Sequence, residues 1–237
     1  MRVARSIAMI VVLAAVPVLV AAEESDSSAS PASTPPVVKL PKEGPQGWIS
    51  LFDGKSLAGW YGDGKVWRAQ DGEIIGKADH VDHNTFLIYN LEFHNFILRA
   101  KCKLIEKGPF PNSGIQYRSQ VVDPKKYIVH GYQADIGDDH HYWGNLYDEE
   151  GRGELKDASK EASDSVKVGD WNDYEITADG THLKQVLNGK VAVEFNDQDA
   201  AHHALKGYIA LQYHSPGAGF EIHFKDVQIK VLPEHGR

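Results

Sequence analysis

The sequence predicts an all-β fold, a two-sheet antiparallel β-sandwich or jelly roll, and three observations predict it. Apolar and polar residues alternate with a period of two in one segment after another. Gly, Asp and Asn turns separate these segments at short intervals, and helical periodicity is weak. Short antiparallel strands joined by tight turns build sandwiches and jelly rolls. The rival β-propeller would show a blade-length internal repeat, and none is found.

The clearest strand is FILRAKCKL, in which Phe96, Leu98, Ala100, Cys102 and Leu104 alternate with Arg99, Lys101 and Lys103. Successive side chains of a pleated strand point to opposite faces, so this segment has one apolar and one charged face. FEIHFKDVQIKV repeats the pattern with Phe220, Ile222, Phe224, Val227, Ile229 and Val231, and its phase slips near Asp226, which predicts a bulge. HLKQVLNGKVAVEF reads as a hairpin turned at Asn188-Gly189, two residues that tolerate positive φ. WRAQ, EIIG, TFLIY, SGIQYR, YQADI, DYEITA and YIALQY supply further strands. Residues 155–165 and 197–205 have room for a turn or two of helix. Trp48, Trp60, Trp67 and Trp171 are assigned to the core. Cys102, the single cysteine, is assigned to a buried, unreactive position on its strand.

The N-terminus reads as a secretory signal. Arg2 and Arg5 precede an apolar stretch over residues 7–20, and Val20 and Ala22 stand at the minus-three and minus-one positions of a cleavage site. That predicts a signal peptide over residues 1–22 and export to the periplasm or the extracellular space. The apolar run falls short of the roughly 20 residues a membrane span needs, and no later segment qualifies. Residues 23–45, rich in Ser and Pro, are predicted to be a disordered tether, and residues 46–233 a single domain.

Charge and motifs narrow the function. The formal net charge is −8, and loss of the signal would remove Arg2 and Arg5 but no acid. That balance argues against nucleic acid and anionic membrane surfaces. The chain carries no GxSxG elbow, no phosphate loop, no CxxC pair and no zinc-protease or EF-hand spacing. No specific protein partner is predicted.

Three strands carry an unusual polar face. Gln116 and Arg118 share one side of NSGIQYR, opposite Ile115 and Tyr117. Gln133 and Asp135 share one side of GYQADI, opposite Tyr132, Ala134 and Ile136. Gln212 and His214 share one side of YIALQYH. A solvated face, like that of FILRAKCKL, would carry Lys and Arg. Planar amides, one guanidinium, one carboxylate and one imidazole instead suit directional bonds to a polar ligand. Tyr142, Trp143 and Tyr147 follow nearby, and an apolar ring with a polar edge suits the mixed surface of a sugar. Asp135 with His214 is also a candidate pair for a divalent cation, a cofactor the sequence leaves open. Asp138, Asp139, His140 and His141 are consecutive and cannot all face one ion without a tightly curved loop, so they are placed at the rim. His202, His203 and residues 197–199 are read as a solvated surface loop.

GWISLFDGKSLAGW, NSGIQYRS, GYQADIG, WGNLYDE, WNDYEI, GYIALQYH and FKDVQIKVL occur in order between Gly47 and Leu232. Together they resemble the 3-keto-disaccharide hydrolase domain family. The resemblance implies a concanavalin A-like jelly roll and cleavage of glycosides whose sugar is oxidised at carbon 3. A ketone there acidifies the hydrogen at carbon 2, so a base can take that proton while the aglycone leaves carbon 1. It further implies that Asp135 or His214 acts as the base and that Arg118 or a metal stabilises the oxyanion. Asn112, Gln133 and Gln212, with Gln116 beside them, would hold sugar hydroxyls, and Tyr147 or Asp148 would assist. The chain departs from the family at GYQADIG: many relatives carry Glu at the Gln133 position and Gln at the Asp135 position. The alternatives are a non-catalytic carbohydrate-binding module, which needs no base, and a structural or metal-bound surface protein.

Overall fold

The computed structural model describes residues 38–105, 110–137, 142–216 and 219–234. The expected signal peptide, most of the expected tether, and Asp138, Asp139, His140 and His141 lie outside the described residues. In the stretch read as tether, Lys39 and residues 41–45 are exposed, whereas Val38 and Leu40 are partly buried. The Val38 N–H donates to the carbonyl of Asn90 at 3.2 Å, and Val38 and Leu40 pack against the core.

The described strands, in chain order, are β1 (Ile49–Ser50), β2 (Trp60–Tyr61), β3 (Trp67–Gln70), β4 (Glu73–Lys77), β5 (Thr85–Phe93), β6 (Phe96–Ile105), β7 (Ser113–Asp123) and β8 (Ile128–Ile136). They continue with β9 (Leu146–Glu149), β10 (Gly153–Lys156), β11 (Asn172–Asp179), β12 (His182–Leu187), β13 (Lys190–Asn196), β14 (Gly207–Tyr213) and β15 (Glu221–Val231). One sheet runs β13-β12-β11-β6-β15-β4-β3 with β1 on β15, and the other runs β10-β9-β8-β7-β14-β5-β2. Neighbouring strands are antiparallel in both, so the predicted sandwich is the observed architecture. Between the sheets lies one apolar core, to which Leu98, Cys102, Ile176 and Phe224 contribute from the first sheet and Ile115, Tyr117, Ala134 and Leu211 from the second.

Local chemistry explains the joints. At the β12–β13 turn Asn188 and Gly189 take φ of 49° and 78°, as that dipeptide tolerates. Asp226, at φ 51°, sits where the β15–β6 register skips between Lys225 and Gln228, so Ile222 and Phe224 before it and Val227 and Ile229 after it all reach the core. Of the stretches with room for helix, 155–165 forms α1 (Lys160–Ser163), capped by Ser159, whose hydroxyl accepts from the Ala162 N–H. Residues 197–205 form turns and no helix, because Asp197 and Asp199 spend their carboxylates on Arg152, Tyr132, His202 and the Ala201 N–H. Asp197 is thus buried, not solvated. Trp60 and Trp67 lie in the core as expected. Trp48 and Trp171 do not: Arg99 stands 4.0 Å from the Trp48 ring, and Lys225 and Lys103 stand 3.9 Å and 4.6 Å from the Trp171 ring. These half-buried rings sit beneath cations on the outer side of the first sheet.

The second sheet is curled. Gln212 on β14 donates its Nε2–H to Glu149 on β9 at 3.2 Å, although β7 and β8 lie between them. Strands about 4.8 Å apart would hold these residues roughly 14 Å from each other in a flat sheet. The curl buries β7 and β8 on both faces, so polar residues on the face turned away from the core are also shielded from water.

Arg118 does not stay on that polar face. It takes φ 49° inside the β7–β8 register shift between Tyr117 and Gln120, and the bulge turns its side chain aside. Its Nε donates to the carbonyl of His94 at 2.9 Å, and Nη1 to those of Gly180 and Ala204. Nη2 donates to Asn95 Oδ1 at 3.0 Å. Arg118 therefore ties the β5–β6 and β11–β12 turns to the segment before β14, and the oxyanion role expected of it is withdrawn. Arg118→Ala would take its donor from the carbonyls of His94, Gly180 and Ala204, and would leave Asn95 Oδ1 with the Gly180 N–H. Urea unfolding is expected to show a loss of about 3–5 kcal/mol, with Arg118→Lys recovering little because one ammonium cannot reproduce the fork.

Candidate active site

A cavity of about 1020 Å³ opens on the curled sheet. Asn84, Asn112, Gln133, Asp135, Tyr147, Glu149, Arg152, Glu154 and His214 line it, with Phe110, Pro111, Tyr142 and Pro216 adding apolar surface. The register explains the convergence. Gln133 on β8 lies opposite Gln116 on β7 and Tyr147 on β9, and Gln116 lies opposite Ala210 on β14, which puts one row of side chains on one face.

Asp135 is held from every side. The Ser119 hydroxyl donates to Gln116 Oε1 at 2.7 Å, Gln116 Nε2 to Gln133 Oε1 at 2.9 Å, and Gln133 Nε2 to Asp135 Oδ1 at 2.6 Å. Its backbone N–H donates to Asn145, and its carbonyl accepts from the Gly144 N–H and, at 2.6 Å, from the Tyr174 hydroxyl. Burial pushes the Asp135 carboxyl well above the usual range. The Gln133 bond opposes that rise, and the nearby carboxylates Glu149 and Glu154 add to it. With Oδ1 accepting from the amide, Oδ2 is the oxygen left to carry a proton.

His214 follows β14. Burial pushes its imidazole below 6.5, and its Nδ1 is shielded from water without a hydrogen-bond partner. The ring is therefore neutral at neutral pH. Glu149 is the second buried carboxyl. Burial raises it, while Asn84 Nδ2, at 2.7 Å on Oε1, and Gln212 Nε2, at 3.2 Å on Oε2, work against that rise.

Other expected residues fall elsewhere. Gln116 and Gln212 are fully buried behind Gln133 and Glu149, so they orient those groups and do not reach a ligand. Trp143 is a core residue, 1% exposed and stacked on Tyr174 with ring centroids 6.3 Å apart, so it forms no wall. Tyr142 and Tyr147 do line the cavity. Asp148 reaches it already committed, accepting from Arg152 Nε at 2.7 Å, and Arg152 also grips Asp197 through both Nη atoms. Glu149, Asn84, Arg152 and Glu154 were not singled out from sequence. For Glu149 a signal existed, since strand alternation in LYDE puts it on the face of Tyr147. Asn84, in a loop, offered none.

Among the described residues, no three His, Cys, Asp or Glu side chains converge as a metal site. The Asp135 carboxyl, one oxygen taken by Gln133 and the group held toward its protonated form, is poorly suited to ligate.

Residues 47–230 match the family model for the 3-keto-alpha-glucoside-1,2-lyase-like domain. The chain belongs to this family. A curated relative, the 3-keto-disaccharide hydrolase of Bacteroides thetaiotaomicron, is 38% identical over 90 residues, a match that spans 33% of this chain and only 30% of the relative's length. Among solved structures, a candidate glycosyl hydrolase from Parabacteroides distasonis superposes with a TM-score of 0.60 at 23% identity, covering 83% of this chain and 99% of the other. The carbohydrate-binding module CBM66 of Bacillus subtilis superposes with a TM-score of 0.54 at 16% identity, covering 73% and 95%. At these identities the superpositions show a shared sandwich fold.

Within this family fold, the buried acid leaves a thermodynamic trace. An acid with a raised folded-state pKa contributes stability fully below its unfolded value, about 3.9 for Asp, and loses it as pH rises through the folded value. Asp135→Asn cannot ionise. Its melting temperature is expected to exceed that of the wild type near neutral pH and to match it below about pH 3.9, which thermal melts across that range would check. An unchanged difference at every pH would contradict the burial argument.

Proposed function

We propose that this protein cleaves the glycosidic bond of sugars carrying a ketone at carbon 3, by elimination across carbons 1 and 2. One observation carries the reading: a single cavity holds an imidazole, His214, pushed below its ordinary value by burial, and a carboxyl, Asp135, pushed well above its own. Titratable neighbours pushed in opposite directions are the mark of a base and an acid working together. The family description, 3-keto-alpha-glucoside-1,2-lyase-like, supports the substrate class.

His214 takes the proton from carbon 2, whose electrons pass into an enolate with the carbon 3 oxygen. As the ketone re-forms, that pair becomes the carbon 1–carbon 2 double bond, and the bond from carbon 1 to the glycosidic oxygen breaks. Asp135 gives its Oδ2 proton to the departing oxygen. With Arg118 occupied elsewhere, the enolate oxygen is left to neutral donors at the wall, Asn112 and Tyr147. Burial raises the Tyr147 phenol and keeps it a donor. The signal-like pattern of Arg2, Arg5 and the apolar residues 7–20 supports the reading that the protein acts in the periplasm or outside the cell.

Asp135→Asn and His214→Ala are each expected to lower turnover of a 3-keto disaccharide about 100-fold, the scale of a lost acid or base. The folded fraction of Arg118→Ala is expected to keep near wild-type kcat. The pH profile should be a bell. Its acid limb lies below 6.5, where His214 gains a proton, and its alkaline limb falls where Asp135 loses one. Binding of unoxidised sugars without turnover of keto sugars would leave a carbohydrate-binding module and sink the enzyme reading.

A further inference from the structure

We propose that Asn84 is a positioning residue for His214, and that Glu149 holds Asn84 in the orientation this task needs. The inference rests on the elimination reading above, which makes His214 the base.

His214 stands where the sheet gives out. The last β14 residue paired with β5 is Tyr213, opposite Thr85, and pairing with β7 reaches only Leu211, opposite Ile115. The half-buried imidazole has no hydrogen bond at Nδ1, and among the described residues none fixes the ring from its other nitrogen. A base that must meet a carbon-bound proton has to be held to within about 0.5 Å. Its backbone must therefore be fixed on both sides.

Side chains supply that support. Before His214, the Ser113 hydroxyl donates to the Gln212 carbonyl at 2.6 Å. After it, the Ser215 N–H donates to Asn84 Oδ1 at 2.8 Å, and the Ser215 hydroxyl donates to the Val81 carbonyl at 3.0 Å. Asn84 directly precedes Thr85, so its side chain carries the β5–β14 ladder past the last backbone pair.

Asn84 can do this only one way round. Oδ1 must face the Ser215 N–H, which leaves Nδ2 in need of an acceptor, and Glu149 Oε1 accepts from it at 2.7 Å. An ionised carboxylate only accepts, so it rejects the flipped amide, which would turn its own oxygen toward Glu149. The second oxygen, Glu149 Oε2, accepts from Gln212 Nε2 at 3.2 Å. One carboxyl on β9 thus reaches both flanks of His214, residue 212 directly and residue 215 through Asn84. Burying a carboxyl is costly unless its partners compensate. Asp148 and Asp197 have Arg152, whereas Glu149 has these two amides and no ion pair among the described residues. Bracing the base accounts for keeping it.

Asn84→Ala cuts the link at a partly exposed loop position and is expected to fold, which circular dichroism and thermal melting would verify. With a 3-keto glucoside the variant is expected to lose about 10- to 100-fold in kcat, the scale of a reacting group displaced by about 1 Å, while KM stays within a few-fold. The imidazole nitrogen resonances of His214, assigned by their absence from His214→Ala, should shift and broaden. Glu149→Ala should disturb the same resonances, and the double variant should move them no further than Glu149→Ala alone, because both act through one link. Asn95→Ala, which breaks hydrogen bonds at the opposite end of β5, controls for plain loss of stability and should leave them in place.

The spectra need no substrate. A shift in Asn84→Ala supports the positioning role even if wild type cleaves no keto sugar, an outcome that would defeat only the elimination reading. The assignment is overturned if the His214 resonances of Asn84→Ala match those of wild type, or if the double variant shifts them by the sum of the single effects. It is also overturned if Asn84→Ala keeps the kcat of an active wild type, or if its loss falls on KM alone, which would make Asn84 a ligand-binding residue.

Discussion

A carboxyl group buried at the wall of a cavity constrains everything around it, and Asp135 is that group here. It cannot be left to solvent, so the protein surrounds it with directional partners. Its backbone N–H and carbonyl are both bonded, and its side chain ends a relay that starts at Ser119. Each amide has one donor end and one acceptor end, so the relay runs in one direction, from the Ser119 hydroxyl through Gln116 and Gln133 to Asp135 Oδ1. Even the glycine of NSGIQYR follows. A Cβ at Gly114 would lie 2.3 Å from Gln133 Cδ, so only glycine leaves room for the Gln133 side chain to reach Asp135.

Stability and chemistry are carried by different parts of the same strands. Arg118, two residues beyond Gln116 on β7, is turned by the bulge to clamp turns from both sheets. Tyr132, next to Gln133 on β8, faces the other way and joins the Asp197–Arg152–Asp148 network. Burial works to raise the Asp197 carboxyl, but the Arg152 and Tyr132 bonds outweigh it and bring it down to about 2. Its contribution is present above the unfolded value of about 3.9 and disappears as pH falls toward 2. The scaffold thus loses support in acid, whereas the site loses support as pH rises.

The sandwich was legible in the sequence because period-two alternation depends only on the pleat, as β6, the Asn188-Gly189 turn and the Asp226 bulge show. The polar face was legible for the same reason, and Gln133, Asp135 and His214 do border one cavity. Arg118 was misread because alternation assumes an unbroken pleat, and nothing in SGIQYRSQ announces a positive φ at Arg. Trp143 was misread because following a loop says nothing about which side of the sheet a ring enters. Curling of the second sheet is a property of the whole assembly, so no local pattern revealed that Gln116 and Gln212 would be sealed behind Gln133 and Glu149, or that Glu149 and Gln212 would meet.

The departure at GYQADIG that the family resemblance implied, Gln133 and Asp135 in place of a Glu and a Gln, has a physical reading in this relay. A carboxylate at 133 would accept directly from Gln116. With Gln133 the relay is one amide longer, and the carboxyl stands two residues further on, about 6.6 Å along the strand but on the same face. The register shows where that displacement leads. Ser113 lies opposite Ile136 and Leu211 opposite Ile115, so Asp135 shares its level with Gly114 and Gln212, one step from Asn112 and His214. The carboxyl has moved toward the imidazole. Either arrangement sets one carboxyl and one amide side by side on the strand, an acid together with its donor. In this chain Gly114, opposite Asp135, gives the Gln133 side chain the room that arrangement needs.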